Sequence, residues 1–153
     1  ATITGYLQQA VKRGESIILP QDVPVGVATT NGCIYTEIGL MTKSRLNAQL
    51  IPGKVFKLPG LVPYQAGKII NMDLVAHPQM KFVVMSFDAG TGLPEHAAPG
   101  DAMIFALAGA GVICYEGANY PIKAGESFKM TKGARHAVTA TNPFKMALFV
   151  MRG

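Results

Sequence analysis

His96 and His136 are the side chains whose type and spacing suggest chemistry. The 153-residue chain has three histidines, and these two sit inside glycine-framed stretches. The first runs Gly90, five residues, His96, one residue, Ala98, three residues, Ala102, six residues, Gly109. The second runs Gly125, five residues, Thr131, one residue, Gly133, two residues, His136, three residues, Ala140. Imidazoles titrate near neutrality, so such a pair can shuttle protons, bind an anion, or offer ring nitrogens to a divalent transition metal (Zn, Fe, Mn or Ni). A structural or catalytic metal site ordinarily uses three or four protein ligands, and two histidines leave it half built.

Other groups near the pair have bland readings. Glu95 adjoins His96 and Asp101 adjoins Ala102, but on a regular strand neighbours face opposite ways, so both point outward unless a bulge re-aims them. His77 precedes Pro78, which favours an extended or turn position in a loop. Cys114 and Tyr115 suit core packing. Lys129, Lys132 and Arg135 would either greet an anionic substrate or form a solvated basic loop.

The elements that must hold these residues read as β-structure. Short apolar or alternating runs, separated by Gly, Pro and Asn, predict strands at Ser16–Leu19, Val25–Thr29, Cys33–Ile38, Lys54–Leu58, Lys68–Val75, Lys81–Phe87, Ala102–Ala108, Gly111–Tyr115, Ser127–Met130, His136–Thr139 and Lys145–Val150. Asn31-Gly32 has the composition of a tight hairpin, Asn119 is expected to turn a second, and Gly109-Ala110-Gly111 reads as a hairpin turn. Helix is expected only at Thr4–Lys12 and around Thr42–Leu50.

The two stretches resemble the paired motifs of the cupin superfamily. They match the spacing of the first, G-x5-H-x-H-x3-E-x6-G, and of the second, G-x5-P-x-G-x2-H-x3-N, with 15 residues between them from Ala110 to Ala124. The resemblance covers about Lys54 to Arg152. It implies an all-β double-stranded β-helix, a jelly-roll-like barrel whose strands gather ligands of one parity around an ion. It also implies that His96 and His136 are two of four metal ligands, with Ala98 and Ala102 standing where the family has histidine and glutamate. By resemblance, the function is binding of a small polar metabolite. Two forms stay open: a metal-dependent isomerase, lyase or dioxygenase using His96 and His136, or a non-catalytic small-molecule-binding or sensor protein with a degenerate metal site.

An internal repeat divides the chain. Gly14-Glu15-Ser16 and the later Thr30-Asn31 match Gly125-Glu126-Ser127 and Thr141-Asn142 at equal spacing, so residues 1–50 read as a half-cupin-like strand segment and residues 51–153 as the barrel. A half unit leaves open strand edges, which predicts cover from the barrel or from a second chain in a homodimer. Charged residues are only 15% of the chain, and its 14 Lys and Arg are scattered singly; no stripe for nucleic acid forms. No apolar run is long enough to span a membrane, nor do the first residues have the order of a signal peptide. Two cysteines in apolar runs fit a reducing compartment, the cytoplasm, rather than a disulfide framework.

Overall fold

Alternation of buried and accessible side chains sets the long strands. In Asp101–Phe105 the even positions Ala102 and Ile104 are buried while Met103 between them is exposed, the period expected of a pleated strand with one face to a core. In a computed structural model that describes residues 1–5, 8–40 and 44–152, such runs build a double-stranded β-helix barrel with extra N-terminal strands. The strands are β1 (Thr2–Gly5), β2 (Gln9–Ala10), β3 (Val25–Ala28), β4 (Arg45–Leu46), β5 (Ile69–His77), β6 (Met80–Phe87), β7 (Thr91–Ala97), β8 (Asp101–Tyr115), β9 (Ala118–Lys123), β10 (Ser127–Met130), β11 (Arg135–Ala140) and β12 (Phe144–Met151). One sheet follows the order β4-β5-β6-β12-β8-β11-β7, with β9 and β10 also on β8; a separate three-stranded sheet has the order β2-β1-β3.

The sheet is covered on both sides around β6 and β12, which explains their near-continuous apolar sequences. Val83, Met85, Phe87, Ile104, Phe144 and Met146 fill the barrel interior. Val84 and Ala147, on the opposite face, meet Leu50, Val62 and Leu74 in a second core. The chain between β4 and β5 therefore acts as an outer cover. It is tied down by Ser86, whose Oγ donates to the Pro63 carbonyl at 2.6 Å, and by Lys145, whose Nζ donates to the Pro59 carbonyl at 2.7 Å and lies over the Tyr64 ring.

Strand β8 carries the barrel from one sheet to the other. Residues 101–109 pair with β12, and residues 110–115 pair with β9. Gly109-Ala110-Gly111 is thus no hairpin turn but the crossing point inside one strand. Gly109 has φ 68°, and a Cβ there would lie 2.0 Å from the Pro143 carbonyl oxygen. The glycines are required by the close passage of β12, a constraint invisible in local sequence.

Other expectations are corrected in the same way. The β8–β9 turn lies at Glu116-Gly117, not at Asn119, which is inside β9. Both turn residues have positive φ (50° and 81°). Glu116 tolerates this because its carboxylate accepts the Arg135 N–H and its own N–H donates to the Arg135 carbonyl at 2.9 Å. Asn31-Gly32 follows a bend at Thr30-Asn31 and leads to no strand: Cys33–Ile38 is irregular and exposed up to Glu37, with the Ile34 side chain in solvent. Ser16–Leu19 and Lys54–Leu58 contribute only the isolated bridge between Ser16 and Phe56, and Leu58–Gly60 forms a 3-10 turn. The described residues of Thr4–Lys12 and of 44–50 are not helical; β2 and β4 occupy parts of them, while residues 6, 7, 42 and 43 lie outside the described residues. Propensity for a short amphipathic helix is weak against the ladder bonds that β1 offers β2.

Candidate functional site

The two histidines meet because their strands are antiparallel neighbours. β7 pairs with β11 so that His96 stands directly opposite His136, and the ring centroids are 4.2 Å apart at 56°. Between this pair and the next, Leu93 opposite Val138, β7 spends one more residue than β11. The extra residue is accommodated at Pro94 and Glu95; proline cannot donate to a ladder, so a bulge is where a strand tolerates it. The bulge does not turn Glu95 toward the imidazoles. Its Oε1 accepts from Arg135 Nε at 2.8 Å and pairs with the same guanidinium's terminal nitrogen at 2.6 Å, with both side chains largely exposed.

His136 is 4% exposed, behind the exposed His96. Across β8 it faces Tyr115, whose Oη accepts the Thr131 N–H at 3.3 Å and whose ring packs edge-on against Phe128. Each imidazole is turned with Nδ1 to a backbone carbonyl, His96 to Pro94 at 2.9 Å and His136 to Ala134 at 3.4 Å. A carbonyl only accepts, so for the neutral rings these contacts favour the tautomer with the proton on Nδ1 and the lone pair on Nε2.

Ala98 and Ala102, at the remaining motif positions, are 3% and 5% exposed. Asp101 is engaged elsewhere, its Oδ1 accepting the Lys132 N–H at 2.8 Å to fix the loop before β11. His77 ends β5, where its Nδ1 accepts the Gln79 N–H at 3.1 Å in the turn to β6; it does not join the pair. Cys114 lies in β8 and Cys33 in the exposed irregular stretch, both as free thiols. Tyr115 and Phe128 are the neighbours that motif spacing undervalued; their alternation along β8 and β10 was the available signal.

Burial holds the His136 pKa below the ordinary histidine range, helped by the neighbouring His96 and opposed by the Ala134 carbonyl. A depressed histidine binds fewer protons in the folded than in the unfolded state, so stability is full above the unfolded pKa, about 6.5, and declines as pH falls toward the folded value. Thermal melts from pH 7.5 down to 5 should show this loss, and His136→Asn should flatten it. An unchanged slope in that variant would assign the loss to other groups.

The family model for the cupin domain matches residues 83–151. Among solved structures, a conserved protein of unknown function from Streptococcus pyogenes aligns with 28% identity and TM-score 0.68 over 74% of this chain and 98% of its own. A cupin superfamily protein from Desulfitobacterium hafniense aligns with 20% identity and TM-score 0.68, over 71% and 99%. Residues 83–151 thus form a cupin domain. A cupin 2 conserved barrel domain protein from Leptotrichia buccalis is 40% identical, with TM-score 0.62, over 63% of this chain; the chain spans 47% of that protein's length. No curated protein matches the sequence. No helix among the described residues is long and apolar enough to cross a membrane.

Cupin homologues in general bind metals, and the residues here do not fit that group. Two of the four ligand positions are methyl groups, and among the described residues no cluster of three or more His, Cys, Asp or Glu could hold an ion. Two neutral imidazoles alone make a weak site.

Proposed function

We propose that this protein binds a small polar metabolite, a sugar or a carboxylic or keto acid, at the mouth of the barrel through His96 and His136. The observation that carries the reading is the orientation of the pair. Both Nδ1 atoms face carbonyls and the rings are neighbours, so in the neutral Nδ1–H tautomer two Nε2 lone pairs remain to accept hydrogen bonds from a ligand or to take a proton from it. Behind them the barrel is filled by Ile104, Ile113, Met130 and Val138, so a ligand would approach from the side of exposed His96. A second reading, an enzyme of isomerase, lyase or dioxygenase type with a divalent metal on the same two histidines, is favoured by the same free Nε2 atoms and would require further ligands from outside the protein.

One set of measurements separates the readings. Untagged protein purified without added metal is analysed for metals beside His96→Ala and His136→Ala, then screened by thermal shift against sugars and small organic acids. The binding reading expects well under one metal per chain and a compound that stabilises the parent but neither variant; at a hundredfold excess over Kd the gain is about 2.7 kcal/mol. Near-stoichiometric metal that both variants lose would overturn it in favour of the enzyme. Equal stabilisation of parent and variants would place the ligand elsewhere.

A further inference from the structure

The three-stranded sheet β2-β1-β3 repeats, pair for pair, one wall of the barrel. In the barrel, β8 pairs with β11 as Val112 to Thr139, Ile113 to Val138, Cys114 to Ala137 and Tyr115 to His136. In the N-terminal sheet, β1 pairs with β3 as Thr2 to Ala28, Ile3 to Val27, Thr4 to Gly26 and Gly5 to Val25. The hairpin partner follows: Thr2 to Ala10 and Ile3 to Gln9 answer to Val112 to Pro121 and Ile113 to Tyr120.

The connections repeat as well. In the turn after β2, the Glu15 carboxylate accepts the Lys12 N–H at 2.8 Å; after β9, Glu126 accepts the Lys123 N–H at 2.9 Å. Gly14 and Gly125 both have positive φ, 77° and 90°. Ser16 then bridges Phe56 where Ser127 pairs with Phe105. Before β3, Asp22 holds φ 59° at the position of Gly133, φ 83°, a conformation that non-glycine residues seldom adopt.

The surroundings differ. β11 has β7 on its far edge and a packed core beneath, so His136 and Val138 are 4% and 1% exposed. Among the described residues β3 pairs only with β1, and the equivalent Val25 and Val27 are 41% and 42% exposed. The exposure is confined to β3, since Ile3 on β1 opposite Val27 is 8% exposed; apolar side chains exposed along an open strand edge mark a site for strand addition.

We infer that β1–β3 form the second half of another cupin barrel, and that β3 and its exposed valines receive a polypeptide segment with the strand pattern of β5–β8, its β7-like strand antiparallel on β3. The repeat specifies the occupant, since each missing neighbour has a counterpart in the complete barrel. A second copy of this chain offers only the same second half again, because its own first half is already engaged. Val25 stands where His136 stands, so this half contributes no imidazole, and the completed unit is a structural barrel.

The test compares the full chain with a fusion in which residues 45–111 are duplicated ahead of Thr2, so that Gly111 runs into Thr2 as it runs into Val112. The full chain should sediment as a monomer with fast amide exchange across Val25–Ala28, and the fusion should slow that exchange at least about tenfold, as pairing and burial do. Either of two results overturns the inference. One is a fusion, folded or not, whose β3 amides exchange as fast as the parent's. The other, independent of how the fusion folds, is a parent already protected at β3, whether as a dimer covered by a second copy or as a monomer covered by its own barrel.

Discussion

Gly109→Ala is expected to lower the stability of this protein by about 3 kcal/mol, combining the cost of a left-handed conformation with that of an overpacked contact. The residue sits at φ 68°, and the added methyl would meet the Pro143 carbonyl oxygen at 2.0 Å. That oxygen belongs to backbone at the start of β12, so no side-chain rotation relieves the overlap. β8 or β12 must move, and both are paired along most of their length. At about 3 °C per kcal/mol for a domain of this size, the melting point should drop by roughly 10 °C. Gly90→Ala is the control, having positive φ but nothing within 4 Å of a Cβ; it should cost only about 1–2 kcal/mol. Equal losses in the two variants would show that conformation alone, and not the passage of β12, demands glycine at 109.

The same residues show how far the sequence could be read. The strands between 69 and 151 were legible where burial alternates or where both faces are covered, as in β5, β6, β8 and β12, because solvent exclusion writes directly into residue type. β7 and β9 were not among the strands read from composition. Thr91–Ala97 and Ala118–Lys123 are mostly exposed and each contains a proline, so their pairing is dictated by the neighbours β11 and β8 and not by their own apolar content. Gly109-Ala110-Gly111 looked like a turn because the atom that requires glycine there, the Pro143 oxygen, is over thirty positions away along the chain.

At the site, motif spacing named His96 and His136, and strand pairing places them face to face. Spacing carried no information on what the rings would hydrogen-bond to, and the Nδ1 contacts with Pro94 and Ala134 depend on the bulge and on the loop before β11. In the N-terminal fifth, the repeat was visible through Gly14-Glu15-Ser16 and β3 was read at Val25–Thr29, whereas β1 and β2 fell where a helix was expected or where no element was read. Those two strands are four and two residues long, too short to show a period.

The second large effect concerns the ring that the crossing glycines leave room for. Phe144 is fully buried, lies 5.9 Å from Phe87 centroid to centroid, and begins β12 beside Gly109. Phe144→Ala should cost about 3–5 kcal/mol through lost burial and the cavity left in a core that cannot fully collapse. Gly111→Ala would place its Cβ 2.8 Å from Phe144 Cδ1 and 3.1 Å from the Thr139 carbonyl oxygen, which should cost about 1–3 kcal/mol as overpacking. The two changes share one volume, so they should not add: with the phenyl ring gone, the alanine methyl at 111 enters vacated space. The double variant is expected to be less destabilised than the sum by about 1 kcal/mol or more, within the range seen for residues in contact. Urea unfolding of the two single variants and the double variant measures this coupling. Strict additivity would mean that the Thr139 carbonyl, and not the Phe144 ring, excludes a side chain at 111. The glycines would then serve the β8–β11 ladder, which holds Tyr115 opposite His136, instead of the packing of β12 against the crossing.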